Sequence, residues 1–311
     1  MNIPSVRSEI AELLRFRIIE TPVPFTTHKV AEEVGYRRIL ISYAGDEGEP
    51  IPAYLLLPHG AGPFAAVLVH HQHAGQRHLG KSEVVGLVGD PVQAFGPALA
   101  SRGIAVLAPD SICFEDRRRN QTGTEPDEEA DVEQHYNEMC YRILRGDTLM
   151  RKVLDDSARA ISLLQAHPQI DAERTGILGH SYGGNTVLFH AALDERIRFA
   201  CSSGAACSYH HKMTHQLGIE MAEVIPGFAA RFDIADLLLC MAPRQVLLLS
   251  ATEDPFSQDA LRIVRTMQDA CATIGLNERV EHKRYQGKHA LTQERFDTIV
   301  HWLAACAQSS A

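Results

Sequence analysis

The strongest constraint on this chain is a rhythm that begins at residue 64. Apolar runs of strand length recur at 64–70 (FAAVLVH), 104–109 (IAVLAP), 175–179 (TGILG), 198–203 (RFACSS) and 245–251 (QVLLLSA). A more polar run, RVEHKRY at 279–285, closes the series. Segments with helical period fall between and after them, at 91–101, 148–166, 183–193, 257–274 and 291–305. Strands apolar on both faces need cover on both faces, and helical crossovers between parallel strands supply it. The pattern predicts an α/β fold with a mostly parallel central sheet of about eight strands and helices on both sides.

Ahead of the rhythm, 36–45 and 51–58 are extended and joined by the turn-like GDEGEP, which predicts an antiparallel hairpin at one sheet edge. Residues 5–19 have helical period, and about 1–33 reads as a helical extension packed on its own body or on a partner in a homodimer. No repeat and no Ser/Gly/Pro-rich linker divides the chain, so 1–311 reads as one domain. Two intervals, about 111–147 and 204–243, are too long for simple connections and read as lid-like insertions.

Composition narrows the partners. A formal charge of -9 leaves no basic excess to neutralise phosphates, which argues against nucleic acid. No apolar run approaches the roughly 20 residues of a membrane-spanning helix. The N-terminus lacks the uninterrupted apolar stretch of a signal peptide. Seven cysteines, an odd number without a CxxC pair, fit reduced thiols and a cytoplasmic location.

The chemistry gathers where strands end, since open parallel sheets bind ligands at their carboxyl edge. Gly179-His180-Ser181-Tyr182-Gly183 follows the run at 175–179 and opens a helix-like segment. A hydroxyl displayed on a sharp strand-to-helix turn needs small neighbours, which the two glycines provide; read alone, the string is equally an ordinary close-packing turn. Context decides for Ser181 as a nucleophile. Asp254 stands on the loop after 245–251 and His289 on the loop after 279–285, in the chain order Ser, Asp, His. His289 is the expected base and Asp254 the carboxylate that orients it, with Glu253 the alternative acid. His282, within a strand, and His301, within a helix, are poorer bases by position.

The backbone N–H of Tyr182 and that of Gln72 or His73 are the expected oxyanion donors. His70, His71 and His73 raise the question of zinc. Neighbours on a strand face opposite ways and no acidic partner has metal-like spacing, so no metal or other cofactor is expected. His211 and His215 are spaced i,i+4 but lack an accompanying glutamate of the HExxH kind. His71, Arg117 and Tyr209 are candidate substrate contacts; packing beneath the loop for His71 and ion pairing for Arg117 are their blander alternatives. Phe114, Tyr136, Tyr141, Tyr209, Phe228 and Phe232 line a pocket or form lid core.

With VLVHHQHAG, ILGHSYGG, LLLSATEDPF and GKHAL assembled, the chain resembles the α/β-hydrolase superfamily along nearly its whole length. Within it, the sequence is similar to the dienelactone-hydrolase-like and acetyl-xylan-esterase-like branch. Dienelactone hydrolases proper carry a cysteine nucleophile, and here the elbow carries serine. The resemblance therefore implies a serine esterase acting on a small-molecule ester through an acyl-enzyme. A peptidase or amidase of prolyl-oligopeptidase type, a lactone hydrolase, and a non-catalytic binding protein of the same fold are the alternatives.

Overall fold

The computed structural model describes residues 3–308. Helix α1 (Ile3–Leu13) is followed by three antiparallel strands, β1 (Phe25–Glu33), β2 (Tyr36–Ala44) and β3 (Pro50–Pro58). Strand β4 (Phe64–His70), α2 (Lys81–Val84), α3 (Phe95–Ala100) and β5 (Ala105–Pro109) come next. The long interval that follows carries α4 (Glu128–Leu144) and leads into α5 (Leu149–Ala166). Then β6 (Ile170–His180), α6 (Tyr182–Leu193) and β7 (Phe199–Ser203) precede α7 (Tyr209–Thr214) and α8 (Ile234–Met241). The chain closes with β8 (Gln245–Ala251), α9 (Ala260–Thr273), β9 (Arg279–Tyr285) and α10 (Gln293–Gln308).

These strands form a nine-stranded sheet in the order β1-β2-β3-β5-β4-β6-β7-β8-β9. Pairing is antiparallel as far as β3 with β5 and parallel from β5 to β9. The α/β architecture read from the sequence is present, with one more strand than expected. The difference is β1: residues 25–33 form an edge strand, so the N-terminal extension is helical only over Ile3–Leu13. All but two residues of β1 are exposed, and the two are half-buried, so FTTHKVAEE carries no alternating apolar signal to betray it.

Cover on the two faces is unequal. The larger core joins apolar residues of α1, α5, α6, α8 and α9 to one face of the sheet. The smaller joins α3 and α10 to the other. Helix α6, mostly apolar and without a distinct polar face, is buried over all twelve of its residues. This seats the turn before it rigidly at the centre of the sheet's carboxyl edge.

The two long intervals read as lid-like insertions are built differently from each other. In 111–147 an ionic framework ties the segment down: Glu115 pairs with Lys81 at 2.5 Å, and Arg142 with Glu47 at 2.9 Å. In 204–243 only the first part lies over the sheet edge, because α8 is a core helix packed between α6 and α9. Phe114, Tyr209, Phe228 and Phe232 are buried core residues, whereas Tyr136 and Tyr141 are exposed.

Candidate active site

Ser181 sits between β6 and α6 with φ 55° and ψ -120°, a left-handed conformation that an L-residue adopts only under constraint. The constraint comes from both sides. The Ser181 N–H donates to the Ser203 carbonyl at 2.8 Å, and its own carbonyl accepts from the Asn185 N–H at 3.0 Å. The flanking glycines are required by contact. A Cβ on Gly179 would lie 2.2 Å from the Gly183 carbonyl carbon, and one on Gly183 would lie 2.4 Å from the His70 carbonyl oxygen.

The Ser181 hydroxyl lies 2.7 Å from His289 Nε2, and His289 Nδ1 lies 2.9 Å from Asp254 Oδ1. Asp254 is buried and accepts two further bonds, from the Phe256 N–H at 3.0 Å and the Ser257 hydroxyl at 2.5 Å. Burial works to raise its pKa, but the hydrogen bonds from His289, Ser257 and Phe256 outweigh it and hold the carboxyl below its ordinary value. Glu253 is exposed and belongs to no such chain. His282 bonds to Ser250 at 2.8 Å instead, and His301 is exposed.

His180, which no sequence motif singles out, belongs to the site as well. Its ring stacks on that of His289 at 5.2 Å and 27°, and its Nδ1 bonds to the Ser203 hydroxyl at 3.0 Å. Burial lowers its pKa to about 3, so it is a neutral platform beneath His289 and adds no charge. Phe256 packs edge-on against the His289 ring, at 5.1 Å.

Tyr182 opens α6, so its N–H points out of the helix's amino end. The loop after β4 runs against Gly183, which brings Gln72 and His73 to the same end of the sheet. The backbone N–H groups of Tyr182, Gln72 and His73 make no hydrogen bond among the described residues.

The candidate substrate contacts fall elsewhere. His71 is buried, donating from Nδ1 to the Gln72 carbonyl at 2.8 Å and accepting the Ser111 N–H at 3.1 Å. Arg117 pairs with Glu49 and Asp156, each at 2.9 Å. The Tyr209 hydroxyl donates to the Glu223 carbonyl at 2.8 Å. None of the three lines the cavity beside Ser181. Their hydrogen-bonding capacity is spent inside the protein, which a reading of residue type alone does not detect.

That cavity measures about 330 Å³. Its polar walls include Ser181, His289, His73, Asn185 and Glu220, and Ile219 and Phe256 supply apolar surface. A buried ion pair also lines it, with Lys212 Nζ 2.8 and 2.6 Å from the two Glu223 oxygens. Burial pushes the Glu220 carboxyl up to about 7 and the His73 ring down to about 3. No residue of 111–147 reaches the cavity, whereas Gly204, Lys212 and Gly218 through Glu220 line it from the second insertion.

The three neighbouring histidines serve different partners: His70 bonds to Ser157 at 2.9 Å, His71 to the loop, and His73 accepts the Gly75 N–H at 2.9 Å. Carboxylates gather in two clusters, Asp46–Glu49–Asp156 and Asp110–Glu115–Asp116. Each cluster already holds an ammonium, that of Lys152 and of Lys81 respectively.

The fold, with Ser181 on the turn after a central parallel strand, is that of an α/β-hydrolase. Comparison with known proteins carries this further. Residues 29–224, more than half of the chain, match the family described as acetyl xylan esterase (AXE1). Residues 157–293 also match the C-terminal region of BAAT / acyl-CoA thioester hydrolases. The chain belongs to the acetyl xylan esterase (AXE1) family, a family of carboxylic-ester hydrolases.

A curated relative, "Putative hydrolase YtaP" of Bacillus subtilis (strain 168), is 30% identical over 211 residues. That alignment spans 66% of this chain and 66% of the relative, just under two thirds of its length. Among solved structures, acetyl xylan esterase 1 from Thermoanaerobacterium sp. JW/SL YS485 superposes with a TM-score of 0.65 at 17% identity. The superposition covers 98% of this chain and 93% of that one. A glucuronoyl esterase from Solibacter usitatus gives 0.67 at 16% identity, covering 97% and 92%. At these identities the two structures attest the shared fold. No helix among the described residues is long and apolar enough to cross a membrane.

Proposed function

We propose that this protein hydrolyses a small carboxylic ester through an acyl-enzyme on Ser181. The observation that carries the reading is the continuous chain Ser181–His289–Asp254, with contacts of 2.7 and 2.9 Å, opening into a cavity. Ser181 Oγ attacks the ester carbonyl carbon while His289 Nε2 takes the hydroxyl proton. Asp254 keeps the imidazole in the tautomer with Nδ1–H and stabilises the imidazolium. The oxyanion is held by the N–H of Tyr182 together with that of Gln72 or His73. Collapse breaks the ester C–O bond, and His289 returns its proton to the departing alcohol. Water, deprotonated by His289, then attacks the acyl-Ser181 carbonyl and releases the acid.

Neutral His180 under the His289 ring and Phe256 at its edge restrict the base to the orientation that serves both half-reactions. The segment from Gly204 to Glu223 is the cover of the site. The names of the compared proteins, acetyl xylan esterase among them, support an ester as substrate. Replacing Ser181 with Ala is expected to abolish p-nitrophenyl acetate turnover and labelling by a fluorophosphonate. Equal labelling of the S181A variant would contradict the reading.

A further inference from the structure

Asn185 is a buried polar side chain on α6. It lies one turn beyond Ser181 on α6, is 8% exposed, and lines the cavity. Its Oδ1 is buried without a partner, and its Nδ2 makes no hydrogen bond to any described residue. A buried amide left unpaired costs about 1–3 kcal/mol, so a helix that needed only packing here would carry an apolar residue.

Glu220 lines the same cavity. One of its oxygens accepts the Met221 N–H at 2.9 Å, and the other has no hydrogen bond or ion pair among the described residues. The remaining charged pair in the wall, Lys212 with Glu223, is self-satisfied, with both carboxylate oxygens engaged. The unspent hydrogen-bonding capacity of these walls is the Asn185 amide, which donates and accepts, and the second oxygen of Glu220, together with His73 Nε2, which is also buried without a partner. A hydroxyl matches the first two, accepting from the amide and donating to the carboxylate.

We propose that Asn185 and Glu220 are specificity-determining residues that read a hydroxyl group close to the scissile ester bond. The proposal rests on the esterase reading of Ser181 and adds the substrate class: hydroxylated esters over their methyl isosteres. The hydroxyl can sit on the alcohol or on the acyl side. Two isosteric pairs separate these: 2-hydroxyethyl acetate against propyl acetate, and ethyl glycolate against ethyl propanoate.

The test measures kcat/KM for both pairs by pH-stat, each ratio divided by that of the same pair in alkaline hydrolysis. The wild-type enzyme is expected to favour the hydroxylated member of one pair by about tenfold, the worth of one well-made hydrogen bond. N185L and E220L should bring that ratio to within about twofold of one, whereas E220Q, which keeps a polar partner, should retain most of it. A loss of stability alone would not change a ratio between two substrates. Wild-type ratios near one in both pairs, or a preference that survives in N185L and E220L, would overturn the proposal. Competitive binding of the same pairs to S181A reads the subsite without turnover. Absence of all turnover and of labelling would tell against the esterase reading, whereas turnover or binding without discrimination tells against the subsite.

Discussion

Gly183→Ala tests the contact between the turn carrying Ser181 and the loop carrying Gln72 and His73. The added methyl would lie 2.4 Å from the His70 carbonyl oxygen and 2.8 Å from that of His71. Both obstacles are backbone, so relief requires the loop, or the start of α6, to move by about 1 Å. Overpacking of this kind costs about 1–3 kcal/mol, which in a domain of this size lowers Tm by roughly 2–6 °C. The larger effect is on catalysis. A displacement of that size at the oxyanion donors costs about a hundredfold in rate. Because those donors act on the charge of the transition state, the loss should fall on kcat more than on KM. The assay is p-nitrophenyl acetate kinetics with thermal melting followed by circular dichroism. A variant with kcat within about threefold of wild type and an unchanged Tm would refute the packing argument, as would a loss confined to KM.

Ser181→Gly should be more stable than Ser181→Ala by about 1 kcal/mol in urea denaturation, because glycine relaxes the left-handed backbone at φ 55° and alanine does not; equal stabilities would mean that the turn stores no strain. Lys81→Met removes the ammonium that lies 2.8 Å from Asp110 and 2.5 Å from Glu115. Burial and Glu115 already push the Asp110 carboxyl above its ordinary range with the lysine present. Without the lysine, Asp110 should bind a proton in the folded state at pH values where the unfolded chain, titrating near about 4, has released it. The variant should therefore lose about 3–5 kcal/mol at pH 8 and recover part of it as pH falls toward 5; a loss independent of pH would contradict this.

Much of this architecture is legible in the residues because its causes are local. Runs such as FAAVLVH and QVLLLSA are apolar on both faces, and only a doubly covered parallel sheet satisfies them. Ser181, Asp254 and His289 are recoverable because each stands just beyond a strand that its own run defines, and the structure brings the three into one hydrogen-bonded chain. What escaped depends on tertiary contact. Strand β1 is held by pairing with β2, and its exposed residues leave no periodic trace. His71, Arg117 and Tyr209 have the right chemistry for a ligand but spend it on the Gln72 and Ser111 backbone, on Glu49 and Asp156, and on Glu223.

Asn185 is legible in the sequence. It is an amide one helical turn after Ser181 in YGGNTVLFHAAL, a position that periodicity arguments overlook. Glu220 is not, since its place over the cavity depends on how the irregular stretch between α7 and α8 is folded.

The central claim is that Ser181 becomes acylated, and rapid-quench mass spectrometry during p-nitrophenyl acetate turnover addresses it directly. The account predicts a transient acetyl group on the peptide containing Ser181, formed during the burst of nitrophenol and lost as substrate is exhausted. An acetyl group that instead accumulates on another residue, or sustained turnover by S181A, would contradict it.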